Sequence, residues 1–413
     1  MHSAASDRRT SDHPHAHGGD PETTPVIVAC CRTAIAAHDP QRGFFRHVRA
    51  DELAAAVIRA AVERSGVDPA TIDEVVLGAV EQRGPLGGNA ARSVALLAGL
   101  PDSVGGVTVN RLAASSLQAL AQASHAIAAG AARVQVASGV EHMHHLPSDP
   151  FGEVHPRALK RSSRGVLSPG LVAERLASVH GIDRRRQEDH ALASHARAKA
   201  AADAGLFDEE IVPVPGHDDS GAVLEVATDQ LIGFPGDRTD LARLDPVYLP
   251  GTGTITAATS APAAVGSAAL VVTSLAEADR QGLSAWARVI GTAVAGVPPA
   301  AAGTGAVAAI GRLLTGNLRP RDLEPGSFDH VELEEAFAAE TLYALDTLGL
   351  DPARVNPRGG SLALGLPLGA GGARMATTLL HAMRDAAGAR FGLLATSVSL
   401  GQGIALLLER LPD

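Results

Sequence analysis

VTVNRLAASSLQALAQASHAIAAG, residues 107–130, divides into a short strand from Val107 to Val109, a tight polar turn at Asn110 and Arg111, and a long apolar helix running from Ser115 towards Ala129. A helix that starts at the edge of a strand presents free backbone N–H groups and a partial positive charge. Such an end stabilises an anion or lowers the pKa of a thiol placed on it. Between the turn and the helix this chain places Leu112, Ala113 and Ala114, none of which carries a reactive side chain.

Working outward, strand and helix alternate. Val26–Cys31 reads as a strand, Asp51–Ser65 as an amphipathic helix with Leu53, Ala54, Val57, Ile58 and Ala61 on its apolar face and Asp51 placed to cap it, Asp73–Leu77 as a second strand, and Asn89–Ala98 as a further helix. This alternation predicts an α/β fold. It also recurs. Helix 115–129 leads through Ala129-Gly130-Ala131 into the strand Arg133–Ala137, as helix Ala373–Ala386 leads through Ala387-Gly388-Ala389 into Arg390–Thr396, and Asp73–Leu77 has a counterpart in Asp329–Leu333. Two similar halves are the simplest explanation. Residues 141–254 break the rhythm with a His-rich turn (EHMHHLPSDP), a helical run from Arg184 to Ala204, and an irregular stretch rich in Gly, Pro and Asp from Val212 to Gly253. They read as an inserted loop domain over the site. The expected organisation is a disordered tail at 1–24, an N-terminal half at 25–284 carrying the insertion at about 141–254, and a C-terminal half at 285–413.

Composition narrows the function. With 46% hydrophobic and only 3% aromatic residues, packing must rest on Ala, Val and Leu. A net charge of -10 argues against a nucleic-acid or anionic-membrane partner. No apolar run reaches the ~18 residues needed to span a bilayer. Arg8 and Arg9 precede no apolar segment, so a twin-arginine signal is not expected and the cytoplasm is the expected compartment. The only cysteines, Cys30 and Cys31, are strand neighbours that point to opposite faces, which suits packing rather than a disulfide or a metal. His2, His13, His15 and His17 lie in the polar tail, and His142, His144 and His145 in a Pro-containing loop. Neither group has the spacing of a ligand set, and no metal is expected.

Residues 107–130 resemble the nucleophile motif of the thiolases, V-N-R-L-C-x-S-S/G-x-Q-A, matched at Val109, Asn110, Arg111, Leu112, Ser115, Gln118 and Ala119. The resemblance extends over Val26–Glu409 and is strongest to the bacterial fatty-acid-oxidation type. It is carried by Arg32-Thr33, Gly78–Gln82, Asn89–Arg92, Gly139–Met143, Ser194–Ala198, Thr254–Thr256, Glu335–Ala338, Gly359-Gly360, Pro367–Gly369 and Gly401–Gly403. It implies a thiolase fold, five-layered α/β/α/β/α from two similar halves plus a loop domain, commonly assembled as dimers or tetramers.

The same resemblance implies four catalytic groups, and all four positions differ here. The nucleophilic cysteine falls on Ala113, the histidine of the G-H-P motif on Leu366, the asparagine of N-E-A-F on Glu334, and the second cysteine on Ser397. Loss of a nucleophile alone costs roughly 10⁶ in rate, about 8 kcal/mol of barrier. Ser115 and Ser116 read as helix caps without an adjacent base. Positions implied to hold coenzyme A drift too: an adenine-contacting arginine falls on Gly233, with Arg238 as its nearby substitute, and Ala261, Val265 and Ala306 replace further motif residues.

Glu334 is the replacement that adds chemical potential. One reading makes it an acid or base with a raised pKa between Leu366 and Ala113, sharing a strand face with His330 and Glu332. The other makes it a surface or salt-bridged glutamate paired with Arg111 or Arg374. These observations lead to the expectation of a non-condensing homologue acting as a partner or scaffold subunit, either a homodimer or a heteromer with an active thiolase or ketosynthase. The alternatives are a repurposed acyl-thioester enzyme using Glu334 for proton transfer, elimination, hydrolysis or cyclisation, and an acetyl-CoA acyltransferase. No cofactor is expected, coenzyme A or a carrier-protein thioester being a ligand.

Overall fold

The computed structural model describes residues 20–145, 154–233, 237–315 and 323–412. The tail histidines, Arg8 and Arg9, and Leu146 to Pro150 of the His-rich turn lie outside them. The first half runs β1 (Pro25–Arg32), β2 (Ala36–Ala37), α1 (Ala50–Ser65), β3 (Ile72–Gly78), α2 (Ala90–Leu97), β4 (Gly105–Val109), α3 (Ser115–Ala128) and β5 (Val134–His142). An insertion follows with α4 (Pro169–His180), α5 (Arg184–Asp203), β6 (Val214–His217), β7 (Val223–Val226) and α6 (Arg238–Ala242), before β8 (Ala264–Ser274) and α7 (Leu275–Gln281) complete the half. The second half is β9 (Ala287–Gly296), α8 (Gly305–Thr315), β10 (His330–Leu333), α9 (Ala338–Leu348), α10 (Ser361–Leu364), α11 (Gly371–Asp385), β11 (Phe391–Val398) and β12 (Gln402–Arg410).

The repeat is one of topology as well as of sequence. Strand order is β4-β3-β5-β8-β1 in the first half and β10-β11-β12-β9 in the second, the two meeting where β1 pairs with β9. β3 runs parallel to β5 as β10 does to β11, and the β5–β8 and β8–β1 pairs are antiparallel like β11–β12 and β12–β9. The acidic residue at the start of each parallel pair plays the same part. Asp73 Oδ2 accepts from the backbone N–H of Arg133 and Val134 at 2.6 and 3.3 Å, and Asp329 Oδ2 from those of Arg390 and Phe391 at 2.8 and 3.0 Å. Each carboxylate satisfies donors at the start of the neighbouring strand and so fixes the register.

Strand alternation separates the buried side chains into layers. On the outer face of the first sheet Ala54, Val57, Ile58 and Val94 of α1 and α2 pack on Cys31, Val75, Val136 and Val271. Its inner face presents Ile27, Cys30 and Leu270 to Leu117, Leu120, Met375 and Leu379 of α3 and α11, which also cover Leu394, Leu406 and Leu408 of the second sheet. Beyond that sheet, Leu393, Ala395 and Leu407 meet Ile310, Leu313, Leu342 and Leu345 of α8 and α9. The result is five layers, α/β/α/β/α, with α3 and α11 in the middle. Cys30 and Cys31 are free and buried on opposite faces of β1.

Arg32 ties the insertion to both halves. It is fully buried, bonded through Nε to Glu210 at 2.9 Å and through Nη1 and Nη2 to Asp229 at 2.8 and 2.9 Å. Glu210 in turn accepts from Arg358 at 3.1 Å and Thr378 at 3.0 Å, both in the second half. Bidentate geometry and full pairing are what make such charges tolerable in a core.

Two local expectations are corrected. Asp51 does not cap α1; Arg49 occupies the cap position without a side-chain bond, and Asp51, inside the first turn, pairs with Arg49. The stretch from Val212 to Gly253 is not irregular throughout, because β6 and β7 form an antiparallel pair and Asp237 opens α6 with a reciprocal capping box. Among the described residues no helix is long and apolar enough to cross a membrane.

Candidate functional site

The site lies where the heads of α3 and α11 meet. The turn before α3 is held by its own polar side chains. Asn110 Oδ1 accepts from Leu112 N at 2.8 Å, while Ser115 Oγ accepts from Arg111 N at 2.9 Å and donates to Leu112 O at 2.6 Å. These bonds hold Leu112 at φ +49°, a left-handed conformation that costs a branched side chain about 1–2 kcal/mol. Asn110 Nδ2 also donates to Val80 O at 3.0 Å, and a Cβ on Gly78 would run into Ser115 and the Ser116 amide, so the end of β3 approaches the helix head as only glycine allows. Ala113, in the last turn before α3, is partly exposed.

The neighbouring loops converge on this turn. Ser116 Oγ accepts from Ala373 N at 2.9 Å, so one central helix supplies the cap of the other. Ser115 is a loop staple rather than a cap. Glu141, at the end of β5, accepts from the backbone N–H of Val80, Glu81 and Gly369 at 3.0, 3.2 and 3.0 Å, joining the segment after β3 to the one before α11. Burial pushes its carboxyl up to about 7 against the pull of those three donors. Arg111 donates to Gln118 and Gln402, each at 2.7 Å, bringing in the β11–β12 turn.

Of the four positions read from the sequence, Ala113 stands before α3, Leu366 and Glu334 lie by Gly371 at the head of α11, and Ser397 lies at the head of α8. Leu366, in the segment before α11, bridges to Ala263 and is buried. Glu334 follows β10, its amide donating to Ala395 O at 3.1 Å, and its Oε2 lies against Gly371, where an added Cβ would be 2.5 Å from that oxygen and 3.1 Å from Leu366 Cδ1. Ser397, two residues beyond Ala395, donates to Gly303 O and accepts from Ala306 N, both at 3.0 Å. Its hydroxyl therefore serves as a cap for α8.

Glu334 is neither on the surface nor paired with Arg111. It is buried; Oε1 accepts a short hydrogen bond from Ser361 Oγ and lies 3.9 Å from Arg374 Nη2. Glu332 shares that face and lies 3.3 Å from Arg374 Nη1, whereas the charged groups acting on His330 are Asp329, Arg358 and Arg354. Burial raises the Glu334 carboxyl, opposed by Arg374 and Ser361 and reinforced by Glu335, and burial raises Glu332 to about 8. Glu335 shows the contrary outcome: although burial opposes ionisation, bonds from His190, Ser194 and Asn356 bring it down to about 2.

Other expected groups lie apart from this centre. Arg238 begins α6 on the surface and pairs with Asp189 of α5, and Gly233 has φ +112°, where an arginine would be strained. His142 and His145 stack at 3.7 Å with their Nε2 atoms on the carbonyls of Phe45 and Arg46. Among the described residues no His, Cys, Asp and Glu group is arranged to hold a metal. Sequence reasoning missed Ser361, Glu141 and Glu340. Glu340, in the first turn of α9, is raised to about 8 by burial and by the Glu334 charge. Only for Glu141 was there a signal, its place in the Gly139–Met143 block; Ser361 and Glu340 sit in no motif or period that marks them.

Comparison with known proteins assigns this architecture. The family descriptions Thiolase, N-terminal domain and Thiolase, C-terminal domain match residues 25–276 and 283–410. The chain is 41% identical over 393 residues to a protein named 3-ketoacyl-CoA thiolase from Pseudoalteromonas translucida, covering 94% of this chain and 99% of that one, and 40% identical over 389 residues to one of the same name from Vibrio parahaemolyticus, covering 93% and 98%. Among solved structures, Bacillus anthracis acetyl-CoA acetyltransferase superposes with a TM-score of 0.84 at 34% identity, covering 94% of this chain and 99% of that chain. Human mitochondrial 3-ketoacyl-CoA thiolase does so with a TM-score of 0.85 at 29% identity, covering 95% and 100%. These relatives overturn the expectation of a non-condensing scaffold or partner subunit, since near-complete similarity to proteins named for an enzyme points to an active thiolase. Both halves of the sequence and the whole of the fold agree, and the chain belongs to the thiolase family.

Proposed function

We propose that the chain is an acyltransferase acting on 3-ketoacyl thioesters of coenzyme A, the class named in its relatives. The observation that carries this reading is identity of 41% maintained over 94% of the chain, together with retention of the joined heads of α3 and α11. Since Ala113 offers no sulfur or oxygen to carry an acyl group, transfer passes directly to the acceptor thiol. The acceptor sulfur bonds to C3 of the substrate, the C2–C3 bond breaks, and its electron pair stays on C2 as an enolate. The proton leaving the thiol reaches C2 by way of the Glu334 carboxyl, whose affinity for protons burial raises. The positive end of the α3 dipole, at the turn that carries Ala113, favours the developing negative charge.

The test is thiolysis of acetoacetyl-CoA and longer 3-ketoacyl-CoA by free coenzyme A, with products followed by mass spectrometry. Two shorter acyl-CoA products are expected, with no acyl adduct on the protein. Glu334→Gln is expected to slow turnover by roughly 10²–10⁴-fold, the range for loss of a positioned acid–base group. Absence of turnover on every chain length, with the protein folded, would remove the proposal.

A further inference from the structure

The two oxygens of Glu334 have different surroundings, and Arg374 decides which is which. A guanidinium can only donate hydrogen bonds. Arg374 Nη2 donates to Ser361 Oγ at 3.1 Å, so the hydroxyl hydrogen of Ser361 points away from it, to Glu334 Oε1. Oε1 is thereby an acceptor, and a proton placed on it would compete with the Ser361 hydrogen. Oε2 is buried and has no hydrogen-bond partner among the described residues, lying instead by Gly371 at the head of α11. Leaving a charged oxygen bare in such a place is costly, whereas a carboxylic acid O–H there costs less.

We infer that the Arg374–Ser361 pair selects Glu334 Oε2 as the one atom at which this carboxyl takes up and releases its proton. Ser361 and Arg374 are then positioning residues, acting through Glu334, and the inference rests on the acid–base role proposed above. The selected oxygen lies by Gly371, at the head of α11. A Cβ at 371 would stand 2.5 Å from Oε2, so a larger residue there would have to displace this oxygen.

Infrared difference spectra between the wild type and Glu334→Gln, taken across a pH titration, isolate the carboxylic-acid carbonyl band of Glu334 without any substrate. In the wild type that band is expected at the lowered frequency of a C=O that accepts a hydrogen bond. Ser361→Ala is expected to raise the frequency to that of a free acid and to move the titration midpoint upward by about one pH unit or more, because a bond to the charged form is lost. Ser361→Thr, which keeps the hydroxyl, is expected to restore both. A free-acid band in the wild type, no Glu334 band at any pH, or a midpoint unmoved by Ser361→Ala would overturn the inference. The wild-type band decides even if Ser361→Ala does not fold. Failure of thiolysis with the band and its shift present would instead sink the acyltransferase reading and leave the proton placement standing.

Discussion

At the scale of single residues, the turn before α3 shows a reactive geometry kept in place by groups that do not react. Leu112 is held left-handed by Asn110 and Ser115, and Ala113 stands in the last turn before the helix. A thiol installed there by Ala113→Cys would gain the field of the helix head but no base, because Leu366 is apolar. Alkylation by iodoacetamide at neutral pH is therefore expected to be slow for Ala113→Cys and faster by roughly tenfold or more for Ala113→Cys with Leu366→His, as a neighbouring imidazole raises the thiolate fraction. Equal rates in the two proteins would mean that residues 113 and 366 do not face one another. Glu334 teaches a different lesson. Arg374 was among the partners its sequence offered, but its burial and its bond from Ser361, 27 positions further along the chain, are relations no local pattern encodes.

At the scale of elements, the duplicated Asp at the head of each parallel strand pair makes an unusual control. Asp73→Ala and Asp329→Ala each leave two backbone donors without their acceptor and are expected to destabilise by about 1–3 kcal/mol apiece. The two costs are expected to add within about 0.5 kcal/mol, since the residues lie in different halves and share no partner; chemical denaturation of the single and double variants measures both. The strand, turn and helix of residues 107–130 were legible because each has its own period and the helix is long. The insertion was legible only as an interruption. Its strands are four residues each, and Pro215 and Gly216 occupy the middle of β6, so neither alternation nor β propensity marks the pair; cross-strand bonds to β7 make it a strand. Asp51 misled for a related reason: an acidic residue suits both the cap and the first turn, and the ion pair with Arg49 settles it in the latter.

For the whole molecule, pH is the revealing variable. Glu340 is raised from its ordinary 4.5 to about 8 by burial and by Glu334, and Glu332 to about 8 by burial against the pull of Arg374. Between 4.5 and 8 the folded protein binds protons that the unfolded chain releases, so their contribution to stability is full below this window and is lost as pH rises through it. The midpoint of thermal unfolding is expected to fall from pH 5 to pH 8.5, and Glu340→Gln to flatten that fall; an unchanged slope in the variant would show that Glu340 ionises freely. The buried centre at Arg32 has a further consequence. Any replacement cover grafted onto this scaffold has a fixed root, since it must deliver two carboxylates, those of Glu210 and Asp229, to a single guanidinium. A substituted loop is free of that constraint only in the parts that lie beyond the anchor.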